Sequence, residues 1–128
     1  MSVNTIRIPS PTKKAIAAAD LSDFQYGIVT IDTVTTKVKK AGANDTNLYI
    51  LQNKPKAGQV AEIANADGCQ SYVKASAALN VGTRINAHTN GLAVTAAATK
   101  YSFAIIDEKA LAANDIVICT FEKMYIPA

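Results

Sequence analysis

One histidine, two cysteines and ten carboxylates are the side chains of this sequence that could move a proton, hold a metal or attack a carbonyl. His88 stands two residues before Asn90-Gly91, a dipeptide favoured in hairpin turns. A histidine there could act as a base or a ligand. A zinc-type site, however, needs Cys, Asp or Glu partners, and no such cluster surrounds it. Its context supports an exposed turn residue. Asp107 and Glu108 are adjacent, point in different directions and precede Lys109. Asp20 and Asp23 flank Leu21-Ser22 ahead of a strand-like run, where carboxylates ordinarily serve turns and caps. Pairing between carboxylates distant in sequence is left to the fold.

Cys69 and Cys119 are far apart and show neither CxxC nor metal-ligand spacing. Each lies in an apolar or alternating run, which predicts two buried thiols rather than a disulfide. The chain has no GxSxG, no phosphate-binding Walker loop and no GxGxxG. Its six glycines are dispersed at turn positions. The expectation is a protein with no catalytic residues, no metal and no cofactor.

The elements that would position a site are strands. At 128 residues, with 49% apolar and 18% charged side chains, the chain suits one folded domain. Alanine dominates the apolar half, so the core is thin and association with other subunits is a natural source of stability. A net charge of +3, with Lys and Arg scattered singly or in pairs (Lys13-Lys14, Lys39-Lys40), argues against nucleic-acid binding. No run approaches the roughly 18 apolar residues of a membrane span. The N-terminus lacks the apolar stretch of a signal peptide, and synthesis in a reducing cytoplasm is the simplest reading.

Residues 1–19 read as an extended arm, with Ile6 and Ile8 alternating about Arg7 before Pro9 and Pro11. Ser10-Pro11 would also suit the start of a short helix through Ala19. Residues 20–128 read as the folded domain. Strands are predicted at 24–32, 34–39, 48–51, 59–64, 69–75, 84–88, 92–95, around 101–106 and at 115–126, from β-branched runs and alternation. Asp67-Gly68 predicts a tight hairpin, Asn90-Gly91 a two-residue one, and 107–114 a loop or a single helical turn. The fold class is all-β, a small β-barrel or β-sandwich with an extended N-terminal arm. No internal repeat is evident.

The two ends are the candidate interface. Ile6, Arg7 and Ile8 form a segment able to add to the edge of a neighbouring sheet, to close the chain's own sheet, or to fray. Met124, Tyr125 and Ile126 close the chain with large side chains that would cover the core or meet a partner.

Several strings together resemble the small capsid decoration (cement) proteins of tailed bacteriophages. They are Leu51-Gln52-Asn53-Lys54-Pro55, Ala57-Gly58, Ala78–Thr83, Asn90–Val94 and Ala112–Val117. The likeness spans residues 20–121. Asn80-Val81-Gly82 and Asn114 stand where that family often has Ala-Gly-Asp and Gly. The resemblance implies a virion protein on the outer capsid surface, commonly a trimer. Its partners would be the major capsid protein, whose neighbouring subunits it clamps, and further copies of itself. A fibre-type or host-surface module that binds carbohydrate is the alternative, and would show exposed aromatics at loop tips. An enzyme or accessory domain ranks behind both.

Overall fold

The computed structural model describes residues 5–127, and Met1–Asn4 and Ala128 at the two ends of the predicted arm and domain lie outside it. The ten strands are β1 (Thr12–Ile16), β2 (Ile28–Ile31), β3 (Val38–Lys40), β4 (Tyr49–Leu51), β5 (Val60–Ala64), β6 (Gln70–Lys74), β7 (Arg84–Ala87), β8 (Ala93–Thr95), β9 (Tyr101–Ile106) and β10 (Ile116–Tyr125). They form two antiparallel five-stranded sheets, ordered β1-β5-β4-β2-β3 and β6-β10-β9-β7-β8. Neither sheet closes into a barrel, so the sandwich half of the expectation is the one realised. Among the described residues there is no helix.

The second order is the first with five added to every label, and the hydrogen bonds repeat with it. Ala17 N–H donates to Gln59 O and Ala75 N–H to Asp115 O, both at 2.9 Å. Gly58 N–H donates to Ala17 O, as Asn114 N–H donates to Ala75 O. Tyr26 N–H donates to Leu51 O, as Gly82 N–H does to Ile106 O. The register agrees as well, since Thr12 faces Ala64 where Gln70 faces Thr120, and Ile16 faces Val60 where Lys74 faces Ile116. The chain is a tandem structural repeat, of about residues 12–64 and 70–120. This corrects the expectation that it has none.

Each sheet packs around alternating apolar side chains. Val29, Val38, Tyr49, Leu51, Ala61 and Ile63 fill the first unit. Val73, Ile85, Ala104, Ile106, Val117, Cys119 and Phe121 fill the second. This second cluster also holds Ile28, Ile50 and Ala64, which lie on the opposite face of the first sheet and join the two units. Each buried aliphatic side chain contributes about 1.5–3 kcal/mol by leaving water.

Several elements differ from expectation. Thr12–Ile16 is a strand rather than a helix, because β5 offers its backbone a full ladder of partners. Residues 24–27 form a tight turn in which Tyr26 has φ 68°, so β2 starts only at Ile28. The stretch 34–37 is likewise a turn, and β3 starts at Val38. Asp67-Gly68 does not join a hairpin. β5 and β6 lie in different sheets, and Gly68 N–H donates to Phe121 O at the crossing. The β7–β8 connection is the five residues 88–92, with three at its tip rather than two. His88 N–H reaches Leu92 O across it, and Gly91 takes the left-handed conformation at φ 77°. Of the two expectations for residues 107–114, the loop is the one realised.

Candidate interaction surfaces

Ser10 and the two prolines keep the arm extended, and the arm runs parallel to the outer edge of β6. Pro9 bridges Gln70, whose N–H donates to Ile8 O at 2.6 Å. Arg7 N–H donates to the Gln70 Oε1 at 3.0 Å. Gln70 also donates through Nε2 to Asp107, which accepts the Thr120 hydroxyl as well. Gln70 thus ties arm, β6 and the 107 loop together, a role that its place in an ordinary polar–apolar alternation does not announce. Ile6 is half-buried against the domain, while Arg7 is exposed and Ile8 is 56% exposed. The backbone at Arg7 and Ile8 is therefore engaged within the chain, and the Ile8 side chain is exposed to meet something else.

The other end lies on a different edge. β10 runs past β6 and continues beside β9, with Met124 opposite Ser102 and Tyr125 opposite Tyr101. The register shifts between Phe121 and Met124, a bulge that strengthens the local twist. Tyr101 and Tyr125 meet edge-to-face with ring centres 5.2 Å apart, yet they remain 67% and 45% exposed. Met124 beside them is 42% exposed, and Ile126 is half-buried. Tyr101 completes this patch; its signal in the sequence was the alternation that placed it on a strand. Alongside, Arg84 Nη2 pairs with Glu122 at 2.9 Å, while Arg84 Nη1 is buried without a hydrogen-bond partner.

Two of the carboxylates, Asp20 and Asp115, are engaged in turns. The Asp20 carboxylate accepts the Ser22 N–H at 2.9 Å. Asp115 accepts the N–H groups of Leu111 and Ala112. His88 is exposed at the β7–β8 tip, with the Thr89 hydroxyl 3.1 Å from its Nδ1. Among the described residues no three His, Cys, Asp or Glu side chains gather as metal ligands would. Both cysteines are free thiols. Cys119 is buried as expected, but Cys69 is only half-buried because it sits at the crossing between the sheets.

No known protein family and no curated protein matches the sequence. Among solved structures the fold is similar to the head fiber gp8.5 N base of bacteriophage phi29, with a TM-score of 0.69 and 16% identity, covering 87% of this chain and 92% of that one.

Proposed function

We propose that the protein is a non-enzymatic structural component of a phage virion, seated on the outer surface of the head, where it binds and clamps neighbouring major capsid subunits. The observation that carries this reading is the likeness to a phage head fiber base across nearly the full length of both chains. The order of turn motifs shared with capsid decoration proteins points to the same outer surface. The engagement of Asp20 and Asp115 in turns agrees with a binding role rather than a catalytic one. In this reading the exposed Ile8 and the Met124–Tyr125 patch supply apolar contact area to the shell. Each contact is weak, and repetition over a symmetric surface makes the sum large.

The test is to purify virions of the encoding phage on a gradient and label intact heads with antibody against the chain. Surface labelling, together with rupture of heads lacking the protein at lower temperature, supports the clamp. Absence of the protein from purified particles overturns it. A second reading, a fibre-type module that binds carbohydrate, is favoured by one observation, the exposed Tyr101–Tyr125 pair.

A further inference from the structure

The two repeats pack on each other through different faces. The first offers its 23–28 turn and Gln52. The second receives them on the edge of β6 and on Gly91. Lys74 N–H donates to Tyr26 O at 2.9 Å, and Ile28 N–H donates to Gly91 O at 2.7 Å. The Gln52 side-chain amide donates to the Ser71 hydroxyl at 2.9 Å. The Tyr26 and Tyr72 rings meet at 5.2 Å. Gln25, Lys74 and Ile116 line the groove between the units.

This contact is not reciprocal. Repeat equivalence maps the offering residues Gln25, Tyr26 and Gln52 onto Val81, Gly82 and Asp107. It maps the receiving residues Ser71, Lys74, Ile116 and Gly91 onto Lys13, Ile16, Val60 and Thr36. In a two-fold arrangement these second sets would also touch each other, yet they are exposed on the surface of the chain. A non-reciprocal contact between like units leaves one offering face and one receiving face unused, and such faces generate rings or filaments.

We infer that the unused faces bind each other between copies of this chain: the 80–84 turn and Asp107 of one copy dock on the β1 edge of the next, in the manner of the 23–28 turn on the β6 edge but without the close approach that Gly91 allows, since Thr36 carries a Cβ there. The chemistry of the equivalent positions supports the pairing. Inside the chain the groove pairs Gln25 with Lys74. At the free faces the same positions hold Val81, 62% exposed, and Ile16, 39% exposed, with Val60 beside Ile16 at 47%. Three of the exposed large apolar side chains thus fall where one contact would cover them together. The hydrogen-bonded pair Gln52–Ser71 becomes Asp107 and Lys13, of opposite charge. Charge follows the same asymmetry, with eight Lys and Arg against five Asp and Glu in residues 1–64 and five against five in 65–128. The β1 edge also carries the right backbone. Ala17 N–H points to β5, so by strand alternation the Ile16 N–H points outward, as that of Lys74 does toward Tyr26 O.

The inference does not rest on the virion reading and is tested on the purified chain by light scattering. The wild type is expected at a fixed multiple of the 13.5 kDa monomer. I16D blocks the receiving face and V81D the offering face. Each change is at an exposed site, and unchanged circular dichroism and melting show that the fold is intact. Either variant alone is expected to associate at least about tenfold more weakly, because a desolvated, unpaired carboxylate is costly at an interface. An equimolar mixture is then expected to form a capped heterodimer, since I16D retains its offering face and V81D its receiving face. A wild type that stays monomeric up to about millimolar concentration overturns the inference, and so does a mixture that stays monomeric.

Discussion

Gly91 lies so close to Phe24 that a Cβ at position 91 would come within 2.7 Å of the Phe24 Cζ and 2.9 Å of Ile28 O. The two residues belong to different repeats, so this contact is where the units lock. Gly91 also has φ 77°, which a side chain disfavours. Gly91→Ala therefore combines backbone strain with overpacking, and is expected to destabilise the chain by about 2–4 kcal/mol in urea unfolding. A loss under about 0.5 kcal/mol would show that the 24–28 turn does not hold the units together.

Asn114 and Gly58 occupy the same place in the two repeats, with φ 71° and 82°. A Cβ at either meets no steric wall strong enough to forbid it, since Asn tolerates the left-handed region and nothing lies within 4 Å of Gly58. The difference is backbone strain alone. Asn114→Gly is expected to leave stability within about 0.5 kcal/mol of wild type, and Gly58→Ala to lower it by about 1 kcal/mol. Equal losses at both sites would contradict the equivalence.

The two thiols differ in environment and should differ in reactivity. Burial pushes the Cys119 thiol well above its ordinary range, and the nearby Asp107 carboxylate adds to the effect. The thiolate is the reactive form, so Cys119 is expected to react with a disulfide reagent only as fast as the protein unfolds. Half-buried Cys69 should react first, in native protein. Two thiols titrating together under native conditions would show that the β6–β10 ladder opens readily.

Asp32 caps the 33–36 turn, accepting the N–H groups of Thr35 at 3.0 Å and Val34 at 2.8 Å. These two bonds, the Thr35 one foremost, hold its carboxyl below the ordinary 3.8, with Lys39 assisting. A depressed folded value means that the contribution is present above the unfolded value and lost as pH falls through the folded one. Asp32→Ala is thus expected to melt below wild type at pH 7, with the gap narrowing as pH falls below the ordinary carboxylate range. A gap independent of pH would assign the effect to the turn backbone rather than to the charge.

Much of the strand plan was legible because turn chemistry is local. Asn90-Gly91 and the run Ile116–Tyr125 announced themselves through φ preference and β-branching. Pairing was less legible, since Asp67-Gly68 supplies a turn but nothing local says that β5 and β6 belong to different sheets. The repeat was hidden for a physical reason. It is carried by backbone hydrogen bonds, which leave few demands on side-chain identity beyond Ala17 and Ala75, or Leu21 and Leu79. Loop-length changes also shift the offset between equivalents from 58 residues at β1 and β6 to 56 at β5 and β10. The site was half legible. Met124 and Tyr125 stood out as large terminal residues, but Tyr101, Gln70, Ile16 and Val81 acquire meaning only once strands and repeats are aligned.

Tyr101 separates the shell-binding reading from the glycan reading. Its ring packs edge-to-face on Tyr125, so truncation loses a cross-strand aromatic pair worth about 0.2–1 kcal/mol. Folding therefore survives Tyr101→Ala, and any large effect on binding belongs to the surface. A capsid contact needs the whole Met124–Tyr125–Tyr101 patch. The variant is then expected to sediment with heads at least about tenfold more weakly, a loss ordinary for an aromatic anchor at an interface, while glycan arrays stay blank for both proteins. A sugar site would give the reverse pattern. Wild type would hold a saccharide ring against the exposed tyrosine face, Tyr101→Ala would lose it, and head binding would be unchanged.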